Sequence, residues 1–440
     1  NLYLEILNIS LIFDRRMFMT FKQLNLHERL LRALDELGYE TPTPIQNDSI
    51  PHLLNKKDLL GCAQTGTGKT AAFALPILNF LLDDEENYRK TRVLVLSPTR
   101  ELAIQIRDNF RTYGKYTHFK CGVILGGVNQ KSQVEVLKRG VDILVATPGR
   151  LLDLIKQKKV DLSNIDYLVL DEADTMLDMG FIHDVRHIMS HLKKERQTML
   201  FSATMPETIL NLCNDFMKNP VIVKTSMISS AAPKINQELY YVDKINKVNL
   251  LIDIIKKDDV KSTLVFTKTK HGANRLSDNL FRSGIKTEVI HGNKSQSART
   301  RALQSFKSGK SKVLIATDIA ARGIDINELS QVINFEMPLD AETYVHRIGR
   351  TGRAGYEGTA ISFCDIDEKK SLVEIEQLIN QRIEVINHDY PMQNFTPSSK
   401  KRAGRSFKKN RTPKNVSPEQ KSNNRKRYTG GRPRNGKRSK

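Results

Sequence analysis

Short apolar runs separated by amphipathic stretches recur along the chain from about residue 20 to residue 224. Val93–Ser97, Val141–Ala146, Tyr167–Leu170 and Met199–Phe201 are β-branched or Leu-rich, with Gly, Pro or Asp close to their ends. Runs this short and this uniformly apolar predict strands buried on both faces, with crossover helices between them. A second series begins after a small, polar, Pro-containing stretch: Thr263–Phe266, Thr287–Ile290, Lys312–Ala316, Val332–Phe335 and Thr359–Phe363. The expected fold is therefore α/β, with two tandem parallel-sheet lobes at residues 20–224 and 237–384 and a short linker at 225–236.

The pattern decays after about residue 384. From Thr396 to Lys440 there are 17 Lys or Arg against one acid, Glu419. This stretch holds +16 of the chain's net +21, leaving +5 for the rest. Such a composition cannot bury enough apolar surface to fold alone, so residues 385–440 are expected to form a disordered basic tail that tethers RNA. Residues 1–19 are read as a non-native or disordered extension: they are apolar but have no basic segment ahead of the apolar stretch, so they do not read as a secretory signal. No apolar run is long enough to span a bilayer. The cysteines Cys62, Cys121, Cys213 and Cys364 form no C-x-x-C pair, and their spacing fits a reducing cytoplasm.

The chemistry begins at Ala63-Gln64-Thr65-Gly66-Thr67-Gly68-Lys69-Thr70, which follows an apolar run and opens an apolar helix. Glycines let backbone N–H groups converge on phosphate oxygens, and a helix N-terminus adds partial positive charge. Lys69 can reach the β- and γ-phosphates, and the Thr70 hydroxyl can ligate Mg²⁺. The chain has Ala63 where the general P-loop pattern has Gly. Asp171-Glu172-Ala173-Asp174 follows the run Tyr167–Leu170, and a carboxylate at a strand's C-terminal end projects into the crevice where α/β folds bind ligands. Asp171 would hold Mg²⁺ through water, and Glu172 would position or deprotonate the attacking water.

These two motifs resemble those of the DEAD-box RNA helicases, and the resemblance runs from about Phe21 to Asp365 in the family's order. Gly38-Tyr39 through Ile45-Gln46 is similar to the family's Q motif, which implies that Tyr39 stacks on adenine and Gln46 bonds its edge, with Phe21 packed behind. Pro98-Thr99-Arg100-Glu101-Leu102, Gly126-Gly127 and Thr147-Pro148-Gly149-Arg150 resemble the motifs that grip the RNA backbone. Ser202-Ala203-Thr204 resembles the motif that links hydrolysis to strand separation, implying a coupling role for Ser202 and Thr204. In the second lobe, His346 to Arg353 (HRIGRTGR) resembles the arginine-finger motif, with Arg350 and Arg353 meeting the γ-phosphate and His346 in coupling. The stretch Ala316–Asp325 resembles the motif that places Asp325 on the ATP ribose and Thr317 and Gly323 near RNA. Gln296 and Arg299 resemble the family's Q-x-x-R pair and Phe266 its fourth-motif aromatic, which implies that Arg299 and Phe266 lie against RNA.

The resemblance implies two RecA-like lobes, with ATP and Mg²⁺ bound between them and RNA lying across both. It further implies RNA clamping and local duplex unwinding driven by ATP turnover. The segment Thr41–Gln46, the segment His291–Gln296 and the basic tail most resemble the bacterial RhlE group, which implies a cytoplasmic role in ribosome assembly or RNA turnover. Ribosomal particles or RNA-decay machinery are then the expected partners, with no membrane and a monomeric state. An ATP-gated RNA chaperone or annealing clamp is the rival reading.

Overall fold

The computed structural model describes residues 19–64, 66–83, 90–225, 235–257, 261–321, 324, 326, 329–352, 358–390 and 392. Expectations placed on residues 1–18, Thr65, 226–234, Gly323, Asp325, Arg353 and 393–440 lie outside the described residues.

The apolar runs are strands of two parallel sheets. The first contains β1 (Leu59–Cys62), β2 (Val93–Leu96), β3 (Cys121–Ile124), β4 (Ile143–Ala146), β5 (Tyr167–Leu170), β6 (Gln197–Ser202) and β7 (Val221–Lys224), in the order β3-β4-β2-β5-β6-β1-β7. The second contains β8 (Ile235–Tyr241), β9 (Thr263–Thr267), β10 (Thr287–Ile290), β11 (Val313–Thr317), β12 (Gln331–Asn334), β13 (Gly358–Cys364) and β14 (Glu384–Val385), in the order β10-β11-β9-β12-β13-β8-β14. Subtracting seven from each number of the second order gives the first, so the lobes repeat one topology, the doubly wound arrangement of RecA-like lobes.

Helices cover both faces of each sheet, and alternate strand residues supply the two cores. Val93 and Val95 enter one cluster with Phe73 and Phe110, while Leu94 and Leu96 enter another with Leu151 and Ile188. In the second sheet Val265 and Ile333 face one side, and Leu264 and Val332 the other. Cys213 and Cys364 are buried, Cys62 and Cys121 partly so, and all four are free thiols. Among the described residues no helix is long and apolar enough to cross a membrane.

Two boundaries differ from expectation. β8 begins at Ile235, inside the stretch expected to be linker, and pairs along its length with β13. Residues 385–390, expected in the tail, fold onto the second lobe: Val385 pairs with Leu239, His388 Nε2 lies 3.0 Å from the Tyr241 carbonyl, and Tyr390 donates to Asp253 at 2.8 Å.

Candidate functional site

In a parallel sheet every strand ends on the same edge, so loops distant in sequence become neighbours. The loops after β1 and β5, with the segment ahead of β1, build the first cavity, of about 420 Å³, lined by Tyr39, Gln46, Gly66, Gly68, Lys69 and Thr70 together with Asp171 and Glu172. The second lobe adds Ile324 and Arg350 to the same wall. Lys69 opens the helix Lys69–Asp83 and is nearly buried, with Nζ donating to the Ala63 carbonyl at 2.8 Å. The loop is fastened from outside: Thr43 Oγ1 donates to the Thr67 carbonyl at 2.7 Å, and Thr67 Oγ1 donates to the Gln64 carbonyl at 2.7 Å. Gly68 has φ +91°, and a Cβ there would stand 2.2 Å from Gln46 Nε2, so only glycine fits.

Gln46 lines the cavity with its amide held in place by the protein. Its Oε1 accepts from the Thr43 backbone at 2.9 Å and its Nε2 donates to the Gly68 carbonyl at 3.1 Å, so both ends of the amide are engaged by the protein. Tyr39 keeps an open face: it is 38% exposed, with Phe21 at 6.2 Å and Tyr113 at 6.3 Å between ring centroids. Tyr113 also lines the cavity and had no signal in the sequence.

The Asp171 carboxyl is strongly perturbed. Burial pushes the Asp171 carboxyl up to about 7; Lys69 opposes this, and Glu172 and Asp174 add to it. Glu172 adopts the left-handed conformation at φ 51°, an uncommon one for a non-glycine residue. Asp174 carries the connection onward, since its Oδ2 accepts from Ala203 N at 2.9 Å, Thr204 N at 2.9 Å and Thr204 Oγ1 at 3.2 Å. Ser202 is fully buried and its Oγ has no partner.

A second cavity of about 420 Å³ lies beside the loops after β2, β3 and β4 and is lined by Pro98, Thr99, Arg100, Gly126, Thr147, Gly149 and Arg150, with Arg299 from the second lobe. Thr99 caps the helix Arg100–Tyr113 by accepting from Leu102 N, and Pro148 opens the helix Pro148–Lys156. Gly126 N donates to Thr147 Oγ1 at 3.3 Å, and Arg150 donates to the Val128 carbonyl at 3.1 Å. At Gly127, φ +69°, a Cβ would meet the Arg100 guanidinium at 2.2 Å, so the loop and this arginine fit only around glycine. The helix Arg100–Tyr113 serves both cavities: its first turn faces the second, while Leu102, Gln105, Asn109 and Tyr113 line the first.

Several second-lobe residues have contacts that motif reading did not supply. Arg299 donates to Glu101 Oε2 at 2.8 Å and Gln296 Nε2 to Glu101 Oε1 at 2.8 Å, a buried junction between the lobes. Burial lowers the Arg299 pKa and Glu101 raises it. Phe266, expected at the RNA, is instead 2% exposed, with the Arg347 guanidinium 4.8 Å over its ring. Arg347 bonds both oxygens of Asp318, at 2.6 and 2.8 Å, and Asn334 at 2.9 Å, so it braces the finger segment from beneath. Arg350 Nη1 donates to the Ile324 carbonyl at 2.9 Å and faces the first cavity. Thr317 ends β11, half-buried, and half-buried His346 makes no hydrogen bond among the described residues.

Comparison with known proteins agrees with this arrangement. Residues 43–212 match the family model for DEAD/DEAH box helicases, and residues 246–355 match that for the helicase conserved C-terminal domain. The ATP-dependent RNA helicase RhlB of Shewanella frigidimarina is 42% identical over 375 residues, which cover 84% of this chain and 86% of that protein. The ATP-dependent RNA helicase vasa of Drosophila melanogaster is 44% identical over 356 residues, covering 80% of this chain and 54% of vasa. The chain spans 54–61% of the length of vasa and of several DeaD proteins that it matches. Among solved structures, S. cerevisiae Dbp5 bound to RNA and ADP BeF3 superposes with a TM-score of 0.74 at 31% identity, over 83% of this chain and 95% of that one.

Proposed function

Because the chain belongs to the DEAD-box family of helicases, we propose that it is an ATP-dependent RNA helicase that couples ATP binding and hydrolysis to RNA clamping and local duplex unwinding. The observation that carries this reading is a nucleotide cavity walled by both lobes: Lys69, Asp171 and Glu172 on one side, Arg350 on the other. Lys69 holds the β- and γ-phosphates, Glu172 positions or deprotonates the attacking water, and Arg350 stabilises charge on the transferred phosphoryl group. Thr70 and the buried Asp171 carboxyl fit a Mg²⁺ ion, because a cation beside Asp171 offsets the burial that opposes its ionisation. When bound, that ion supplies charge neutralisation across the phosphates.

RNA lies along Thr99, Arg100, Gly126, Gly127, Thr147, Gly149 and Arg150, which offer hydroxyl, backbone N–H and guanidinium donors suited to phosphate and sugar rather than to bases. Each ligand favours the closed pair of lobes, so each tightens the other, because coupling free energy is reciprocal. Dbp5 bound to RNA together with ADP BeF3 supports this reading. Within the family the RhlE-like segments favour a cytoplasmic monomer acting in ribosome assembly or RNA turnover.

The test is steady-state ATP hydrolysis with and without single-stranded RNA, with DNA and Glu172→Gln as controls. Strong RNA stimulation that vanishes in the variant is expected. Turnover indifferent to RNA would replace the helicase with the annealing-clamp reading.

A further inference from the structure

Both cavities sit at the C-terminal edge of the first sheet. The opposite edge, where the strands start, gathers cations. Lys56 precedes β1, Arg92 precedes β2, and Lys193, Lys194 and Arg196 precede β6. Lys56, Arg92 and Arg196 line a single cavity of about 380 Å³ there, with Asp166, Glu195 and the ring of Tyr167. The four-residue strands put this edge roughly 13 Å from the first, at about 3.3 Å per residue.

Charge is unevenly matched at this edge. Asp166 is occupied by Arg92, at 2.7 Å, and by Lys193. Asp58 acts on Arg196 through space, but its oxygens accept from the backbone N–H groups of Thr198 and Lys218, each at 2.7 Å. Among the described residues Arg196 makes one hydrogen bond, from Nη1 to the Lys193 carbonyl at 2.6 Å, and its buried Nε has no partner. Lys56 Nζ, among the described residues, meets the face of Phe80, at 5.5 Å, and Phe80 in turn stacks on Tyr167. Lys194 and Glu195 are exposed at the rim. A half-buried guanidinium without a carboxylate is unfavourable unless an anion completes it.

We propose that this edge is a second binding surface for the phosphodiester backbone of RNA, engaged by strands that extend beyond the groove between the lobes. The inference rests on the RNA-helicase reading above. Charge argues for a polyanion over a single small ion: the chain outside its last 45 residues carries only +5, yet five cations meet here against Asp58, Asp166 and Glu195. Cations without base-reading groups bind backbone irrespective of sequence.

The experiment measures RNA affinity of the full chain against salt, using a short single strand that fills only the groove and a long one that can reach the far edge. Lys56→Gln combined with Lys194→Gln changes two exposed side chains, and Arg196→Gln is tested separately. With the long strand, the log–log salt slope of the double variant should become shallower by about 1.4, or about 0.7 for each lost single-strand phosphate contact. ATP turnover stimulated by the short strand should not change. Glu195→Gln, which removes the rim carboxylate, should tighten the long strand. An unchanged slope in both variants overturns the inference. So does a loss confined to inorganic pyrophosphate, measured with the nucleotide cavity saturated by ADP, because it would mark a small-oxyanion site. Failure of the helicase reading is separate: the short strand would then not stimulate the wild-type chain at all.

Discussion

The two lobes share one strand order, yet only the first is built to hold a nucleotide. In each, the β1 or β8 strand leads through a loop to a helix that starts on a buried lysine, Lys69 or Lys247. Around Lys69 the loop contains Gly66 and Gly68 at positive φ, the ammonium touches a backbone carbonyl, and a cavity lies in front. The loop before Lys247, residues 242–246, has no glycine. There the ammonium binds Asp365 at 3.1 Å and Glu368, and Glu368 also holds Lys268 at 2.9 Å and Met337 N at 3.0 Å. The equivalent position is thus open in one lobe and neutralised internally in the other. Topology alone does not make a phosphate site; the lysine must be left without a carboxylate of its own.

Five substitutions press on this contrast. If the second lobe completes the first lobe's site, Arg350→Ala should lower RNA-stimulated ATP turnover by about 10³–10⁵-fold. Steady-state kinetics that stay within a few-fold of wild type would make the first lobe self-sufficient. Lys247→Met leaves Asp365 buried without its cation and Glu368 with Lys268 alone, and should destabilise the second lobe by about 3–5 kcal/mol in denaturant unfolding. Lys69→Met removes one hydrogen bond to a carbonyl and should cost only about 1 kcal/mol. Equal losses for the two lysines would erase the distinction.

Glu101→Gln strips the junction between the lobes of its charge. It should weaken closure by about 2 kcal/mol, a roughly thirtyfold smaller gain in RNA affinity when AMP-PNP is added. The smallest effect belongs to His291, buried in the second lobe with Nε2 3.1 Å from Asn274 Oδ1. Burial lowers its pKa below the usual 6.5, and the nearby Lys294, Lys270, Arg299 and His271 lower it further. Its neutral form therefore stabilises the fold above pH 6.5, and this stability is lost as pH falls through the folded pKa. His291→Gln should flatten unfolding stability between about pH 7 and 5; an equally steep decline would assign it to other groups.

What the sequence made legible follows from locality. The loops after β1 and β5 are contiguous runs whose chemistry is complete within eight residues, so Lys69, Thr70, Asp171 and Glu172 could be placed before any coordinates. The central strands β2, β4 and β5 were legible because burial on both faces makes them wholly or almost wholly apolar. β3 and β7 were not, because they are edge strands with half-exposed positions, and β14 has only two residues. β8 hid within polar residues, INQELYY, that look like linker. Contacts between distant segments were also out of reach. Glu101 meets Arg299 from 198 positions away, and no local pattern gives their approach. The burial of Phe266 was out of reach for the same reason, since only the fold brings Arg347 over its ring.

The helix Arg100–Tyr113 also bears on how such a chain can change over generations. At about 1.5 Å per residue its fourteen residues form a rod of roughly 21 Å. One end lines the cavity proposed for RNA and the rest lines the one proposed for ATP. A replacement that shifts this rod alters two affinities together, so drift along it cannot adjust appetite for ATP while leaving grip on RNA untouched. Independent tuning has to come from the loops at the other strand ends, which each face one cavity only.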